Sequence, residues 1–408
     1  MPGDMRMEIL VVTTFFPNSI ERQRTVFVEN LVRAMGRLCP VNVIAPVPYA
    51  PPIRWAPDWY AQSRIPRDED IDGIRVMHPR FAVIPKLGWL SGLGYFLGIL
   101  PALRRARMSN RRLVVHAHCA YPDGVGVALA ARVLNFPYIV TCHGSDINVY
   151  AERRGLRAQI RWALSGAAGV IAVSRDLERK IRNLLDGHAT RIAYIPCAGY
   201  NPDVFIARAP HETREQLGIA ASGRLVVFVG KLVPIKGVDV LIDAWARLCR
   251  GGVVTAVDQL IIIGEGKCRM ALERQASGAG VGHTFRFLGG IPHSSVSQWL
   301  AAADILCLPS YSEGTPNVIV EALACGVSVV ATRVGGVPEI VSDGVNGMLV
   351  PPGNPEALAQ AIQDALSRVW DREALRRTVA HLTWTALAER NCRFVHEATH
   401  EITHDPLV

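Results

Sequence analysis

"ADILCLPSYSEGTPNVIVEALACGVSVVAT", residues 303–332, holds two apolar runs on either side of one helical stretch. "ADILCLPS" reads as a buried strand and "YSEGTP" as the turn at its carboxyl end. "NVIVEALACG" reads as a helix that starts near Asn317 and stops at Gly326, and "VSVVAT" returns to a strand. Strand, helix and strand in succession make one crossover unit of a parallel sheet. The alternation continues on both sides. "RLVVFVG", "QLIIIG" and "TFRFLG" precede it and "NGMLVPP" follows. Further upstream a separate series reads "EILVVTT", "VNVIAP", "GIRVMH", "LVVHAH", "PYIVTC", "GVIAVS" and "RIAYIP". Such runs, without polar alternation, suit strands covered by helices on both faces. Between the series, "PCAGYNPDVFIARAP" (196–210) has no clear period and is the linker candidate. The fold expected is α/β, with two doubly wound domains in tandem, 1–200 and 201–383, and a cleft where strand ends face each other. Residues 384–408 form a helical tail, and whether it packs back on the first domain stays open.

The 408 residues suit two or three domains, and 50% hydrophobic with 20% charged residues describe a globular chain rather than a disordered one. Nine cysteines without a C-x-x-C pair fit reduced thiols better than a disulfide frame or a zinc site. "MPGDMRMEIL" enters a strand directly, with no signal-peptide core, so a cytoplasmic protein is expected. "FAVIPKLGWLSGLGYFLGILPAL" (81–103) is long enough to span a bilayer. Its four glycines, two prolines and Lys86, inside an alternating series, argue for a globular helix instead. Residues 1–200 hold 26 Lys and Arg against 15 Asp and Glu, a net of +11, and the remainder carries −3 of the total +8. That excess suits an anionic membrane, a phosphorylated acceptor or nucleic acid. Nucleic acid is set aside, because no coherent stretch interleaves basic and aromatic residues.

Glu313 stands in the turn and Glu321 about one turn into the helix. The free amides around Gly314, Thr315 and Asn317 suit an anion, and Pro316, which has no N–H to give, lies between them at the same site. Amides between two carboxylates fit a ligand with phosphate in the middle and hydroxyls at both ends, such as a nucleotide sugar. The bland alternative is that Glu321 complements the helix dipole and Glu313 is a solvated turn residue. "FVGKLVPIKGVDVLIDAW" (228–245) places Lys231 and Lys236 about a turn that begins at Gly230, suited to a diphosphate. "IIIGEGKCR" (261–269) offers Gly264, Glu265 and Gly266. Arg269 stands where a dinucleotide fingerprint needs its third glycine, so an NAD site is disfavoured.

With "FVGKLVPIKG", "IIIGEGK", "FRFLGGIP", the E-x7-E pair Glu313 and Glu321, and "VGGVPEIVSDGVNGMLVPPGNPEALAQAI", nearly all of residues 225–366 resembles the retaining family-4 (group 1) glycosyltransferases of the GT-B fold. The resemblance implies two Rossmann-like domains. It also implies transfer of a hexose-type sugar from a nucleoside-diphosphate sugar to a hydroxyl acceptor, with retention of anomeric configuration. Glu313 would meet the donor sugar and Glu321 the ribose. Lys231 and Lys236 would hold the diphosphate, and Gly314, Thr315 and Asn317 would offer donors to phosphate and sugar. The loop Gly264–Gly266 and the segment around Leu288 would border the base. His143, Lys236 and Glu313 are the catalytic candidates. "VVHAHCAYPDG" (114–124) and "TCHGSDIN" (141–148) match more weakly; they imply that His143 lies near the transferred sugar, with Gly144 and Asp146 shaping its loop and His118 on the acceptor side.

Three departures stand out. Lys231 replaces an arginine common in the family and loses its bidentate fork. "TTFFPNSIERQRTVFVENL" lacks the usual glycine pair, and its Arg22 and Arg24 could meet an anionic acceptor. Asn201 replaces a linker aspartate. No metal or cofactor is expected; "DEDID" (68–72) reads as a solvated turn, and the donor is left between UDP-sugars and GDP-mannose. Another GT-B enzyme, such as a sugar-nucleotide epimerase, and a non-catalytic nucleotide-sugar-binding protein are the alternatives. Many relatives build bacterial surface polysaccharides on lipid carriers, which points to a lipid-linked or polysaccharide acceptor. An apolar stretch at Trp89, Leu93, Tyr95, Phe96 and Leu97 runs into Arg104, Arg105, Arg107, Arg111 and Arg112. That pattern suits a helix lying in an anionic interface at the inner face of the cell membrane, or equally a helix packed on its own sheet.

Overall fold

The computed structural model describes residues 7–22, 26–50, 53, 57–83, 87–110 and 112–403. Arg24 and Arg111 lie outside them. The chain forms two compact units, Met1–Cys197 with Trp384–Val408, and Ala198–Thr383.

The first unit carries β1 (Glu8–Val12), β2 (Val41–Ile44), β3 (Val47–Pro48), β4 (Asp68–Ile71), β5 (Ile74–Met77), β6 (Arg80–Phe81), β7 (Leu113–His118), β8 (Tyr138–Cys142), β9 (Gly169–Ala172) and β10 (Arg191–Tyr194). Eight of them form one sheet in the order β10-β9-β8-β7-β1-β2-β5-β4, and β3 pairs with β6 apart from it. Ile9 of β1 lies opposite Val41 on one side and Val114 on the other, both in parallel register. Ile9, Leu10, Val11 and Val12 are all buried, which explains a run with no polar alternation. The exception is β4, which pairs antiparallel with β5. The segment expected to be a solvated turn is therefore mostly an edge strand, and only its end turns. Asp72 and Gly73 both take positive φ, 50° and 85°, the backbone of a tight two-residue hairpin. The Gly73 amide donates to Asp70 Oδ1 at 2.7 Å.

The apolar stretch 81–103 becomes mainly the helix Ser91–Ser109, with Pro101 inside it. Among the described residues no helix is long and apolar enough to cross a membrane. Tyr95, Ile99 and Leu103 are fully buried in the core. Tyr95 is thus not part of an outward apolar face, whereas Trp89, Leu93 and Leu97 are 55%, 47% and 60% exposed.

The second unit holds β11 (Leu225–Val229), β12 (Gln259–Ile263), β13 (Phe285–Gly289), β14 (Ile305–Leu308), β15 (Ser328–Thr332) and β16 (Gly347–Val350). All pairs are parallel, in the order β13-β12-β11-β14-β15-β16. Connections run outward from β11 on one side and from β14 on the other, so the direction of winding reverses between these two strands.

The helix Arg372–Val379 stays with the second unit, and Trp384–Thr403 returns to the first. There Arg390 Nη2 donates to the Tyr194 carbonyl at 3.0 Å, and Cys392 Sγ lies 3.9 Å from Cys39 Sγ. Leu387, Ala388 and Val395 of this helix are fully buried.

Candidate active site

In a doubly wound sheet, the loops at the carboxyl ends of the two strands where winding reverses splay apart and leave a crevice. Here those strands are β11 and β14. The chain leaves β11 through Gly230 and the exposed Lys231, makes one 3-10 turn at Pro234–Lys236, and enters the helix Val238–Arg250. It leaves β14 through Pro309 and Ser310 and enters the helix Asn317–Ala324. The Tyr311 amide donates to the Ile235 carbonyl at 2.8 Å and joins the two loops. Gly237 has φ +62°, and a side chain there would collide with the Pro309 carbonyl, so glycine permits the close approach.

Lys236 and Glu313, one from each of these loops, meet. Lys236 Nζ donates to Glu313 Oε1 at 2.6 Å, and Ser310 Oγ donates to the same oxygen at 2.6 Å. The Glu313 side chain is 8% exposed and that of Lys236 23%. The turn carrying Glu313 is held from β15 as well. The Gly336 amide donates to the Gly314 carbonyl at 2.8 Å, and Gly335, at φ +52°, leaves no room for a side chain beside the Glu313 carbonyl. A partly buried ion pair held by hydrogen bonds between its loops presents its polar groups in a preset geometry.

Glu321 is buried one turn into Asn317–Ala324, and its Oε1 receives His293 Nε2 at 2.9 Å. That bond draws the His293 pKa above its usual value. His293 opens the helix His293–Ala302, and the Phe205 ring lies 5.1 Å from it. Pro316 is buried, and no side chain caps the start of Asn317–Ala324. Asn317 turns its Oδ1 to the Gly199 amide at 3.3 Å, while Thr315 is half-buried nearby. At the ends of β12 and β13, the Gly264 amide donates to the Gly289 carbonyl, Glu265 pairs with Arg269 at 2.6 Å, Gly266 is exposed and Leu288 half-buried.

In the first unit, His118 ends β7 and His143 follows β8. His118 Nδ1 and His143 Nε2 are 3.1 Å apart and the rings stack at 5.3 Å. Burial holds both imidazoles well below their usual pKa, so both are neutral at neutral pH. Phe15 and Phe27 flank the His143 ring. Asp146 is fully buried and accepts from the amides of Ala120, Gly144 and Ile147 at 2.8–3.1 Å and of His143 at 3.3 Å. It therefore sews the loops after β7 and β8 together. Arg22 is exposed. At the reversal between β1 and β7, Thr14 donates through its amide and hydroxyl to Asp123 at 3.3 Å, and burial raises that carboxyl to about 7.

Ser310, His293 and Asp123 carry polar contacts that the motifs did not single out. Among the described residues, no group of three or more His, Cys, Asp or Glu side chains is placed to hold a metal ion.

Residues 223–368 match the family described as glycosyl transferases group 1, and residues 25–198 match the glycosyl transferase 4-like domain. TuaC of Bacillus subtilis, a glycosyltransferase provisionally assigned to teichuronic acid biosynthesis, is 32% identical over 365 residues, covering 87% of this chain and 88% of its own. Sucrose-phosphate synthase from Thermosynechococcus elongatus superposes with a TM-score of 0.74 at 22% identity, over 97% of this chain and all of that one. Anabaena HepE, solved in complex with UDP and glucose, superposes at 0.68 with 21% identity, over 96% of this chain and all of that one.

Proposed function

The chain belongs to the group 1 glycosyltransferases, with the α/β GT-B fold, and from that premise we propose a specific reaction for it. It moves a hexose-type sugar from a nucleoside-diphosphate sugar to a hydroxyl of a polysaccharide or lipid-linked acceptor, retaining the anomeric configuration. The observation that carries this reading is the Lys236–Glu313 pair at the winding reversal of the second unit, with Glu321 on the helix that follows.

Charge on the departing diphosphate grows as the glycosidic bond breaks. Lys231, Lys236 and the uncapped start of Asn317–Ala324 stabilise it by fixed positive potential, in place of a divalent cation. Glu313 meets hydroxyls of the sugar, with its carboxylate oriented by Lys236 and Ser310. Glu321 takes the ribose hydroxyls. In this reading Glu313 is a binding group rather than a glycosidase-type nucleophile. Retention then follows from front-face attack, in which the departing phosphate accepts the acceptor's proton. His143, being neutral, serves the transferred sugar by hydrogen bonding rather than by charge.

UDP in Anabaena HepE favours a UDP-sugar over GDP-mannose, and the name given to TuaC favours a surface-polymer acceptor. The exposed stripe Trp89, Leu93 and Leu97 beside Arg104 and Arg105 supports contact with an anionic membrane, where a lipid-linked acceptor resides.

The test is release of nucleoside diphosphate from labelled sugar donors, with the base first chosen by thermal shift with UDP, GDP and ADP. Lys236→Ala lowers kcat/KM about 100-fold, about 2.7 kcal/mol of transition-state stabilisation, with the folding transition intact. Chelator leaves the wild-type rate unchanged. Wild-type turnover in a folded Lys236→Ala protein would reject the site, and a rate restored only by magnesium or manganese would reject the metal-free transfer.

A further inference from the structure

We propose that His293 is a positioning residue for ribose recognition: it clamps one oxygen of Glu321 so that the other faces the nucleotide. The proposal rests on the reading of Glu321 as the ribose ligand.

Glu321 reaches the site through three side-chain torsions and is 6% exposed. Its surroundings on the helix are apolar, with Ile319, Val320, Ala322 and Leu323 all buried. A carboxylate taken so far from water needs hydrogen bonds to replace those it loses and to stay in one rotamer. Among the described residues, the donor placed on its side chain is His293 Nε2, on Oε1 at 2.9 Å. The carboxylate only accepts, with about four lone-pair directions over its two oxygens. One bond to His293 therefore leaves enough acceptor capacity for the two hydroxyls of a ribose while fixing the plane in which they are met.

His293 is suited to act as a clamp. Its backbone is set by Pro292, which precedes the helix His293–Ala302 at φ −55° and ψ 141°. Its ring is backed by Phe205, 5.1 Å away and tilted by 60°. Its side chain is 53% exposed, so it can be replaced without opening the core. Nε2 donates whether the ring is neutral in that tautomer or protonated.

The experiment measures binding of the preferred nucleoside diphosphate and of its 2′-deoxy counterpart, with donor KM and kcat alongside. Wild type discriminates against the deoxy ligand. His293→Ala weakens the ribose ligand about tenfold, leaves the deoxy ligand within about twofold, and raises donor KM at nearly constant kcat. His293→Gln, whose amide nitrogen can reach the position of Nε2, restores most of the discrimination. If Glu321→Gln loses the discrimination and His293→Ala keeps it, His293 does not position Glu321. If Glu321→Gln itself keeps it, the ribose reading of Glu321 is wrong, and this proposal falls with it. A loss in His293→Ala that is equal for both ligands would also overturn it.

Discussion

His116 has no exposed surface, and its Nε2 shares a 2.7 Å hydrogen bond with the Thr141 hydroxyl. Burial pushes its pKa down to about 3, with the neighbouring His143 adding to the shift. Above pH 6.5 the ring is neutral in folded and unfolded chains alike and contributes no pH dependence. As pH falls below 6.5 the unfolded chain takes up a proton that the folded one refuses, so stability falls toward pH 3, by at most about 1.4 kcal/mol per pH unit. The thermal midpoint of His116→Gln is therefore expected to fall less than that of wild type between pH 6.5 and 4.5; parallel curves would mean the folded ring accepts the proton freely. Single residues differ in how readable they were from sequence. Lys236, Glu313 and Glu321 stood out as candidates because they fall on motifs that resemble the family; their types and spacing alone left a solvated turn and a helix-dipole carboxylate open. The Lys236–Glu313 bond did not, since 77 positions separate the partners and only the reversal of winding joins them. His293 escaped notice because it lies just past the glycine-rich motif ending at Pro292, and its partner is 28 positions away.

Ser91–Ser109 shows why a whole element can be recognised while its faces are not. Apolar residues run all round its first three turns, so no 3.6-residue period marks an inner side. The fold assigns Tyr95, Ile99 and Leu103 inward and leaves Leu93, Leu97, Arg104, Arg105 and Met108 exposed. Leu93→Ser with Leu97→Ser is expected to leave the folding transition within about 0.5 kcal/mol of wild type, as for other surface changes. The same pair should abolish flotation with anionic vesicles at low salt. Failure of the wild type to float would remove the membrane contact, and flotation of the double variant would place it elsewhere. The parallel strands were legible as unbroken apolar runs. The hairpin of β4 and β5 was not, because "DEDID" is polar enough to resemble a loop, and its Asp72-Gly73 turn signal lies at the end of the segment.

Across the whole molecule, the return of Trp384–Thr403 makes the first unit discontinuous in sequence. Leu387→Ala, at a fully buried position, is expected to destabilise that unit by about 2–5 kcal/mol. Nucleoside diphosphate should still bind the second unit under conditions where the first has begun to melt, which calorimetry with and without ligand can separate. A single transition moving as one, with binding lost at the same temperature, would show that the units do not melt separately. The Thr399 hydroxyl rests 3.8 Å from Met7 Sδ, a contact spanning 392 positions. During translation, then, the amino-terminal sheet emerges long before its last covering helix exists. All of Ala198–Thr383 must be made first, which at about 5–20 residues per second takes roughly 10–40 s. Throughout that interval the side of the sheet at Gly169 of β9, where Phe394 and Ala398 come to rest, is open to other nascent chains and to chaperones. A ribosome stalled anywhere within Ala198–Thr383 carries a first unit that cannot close, whatever the state of the second.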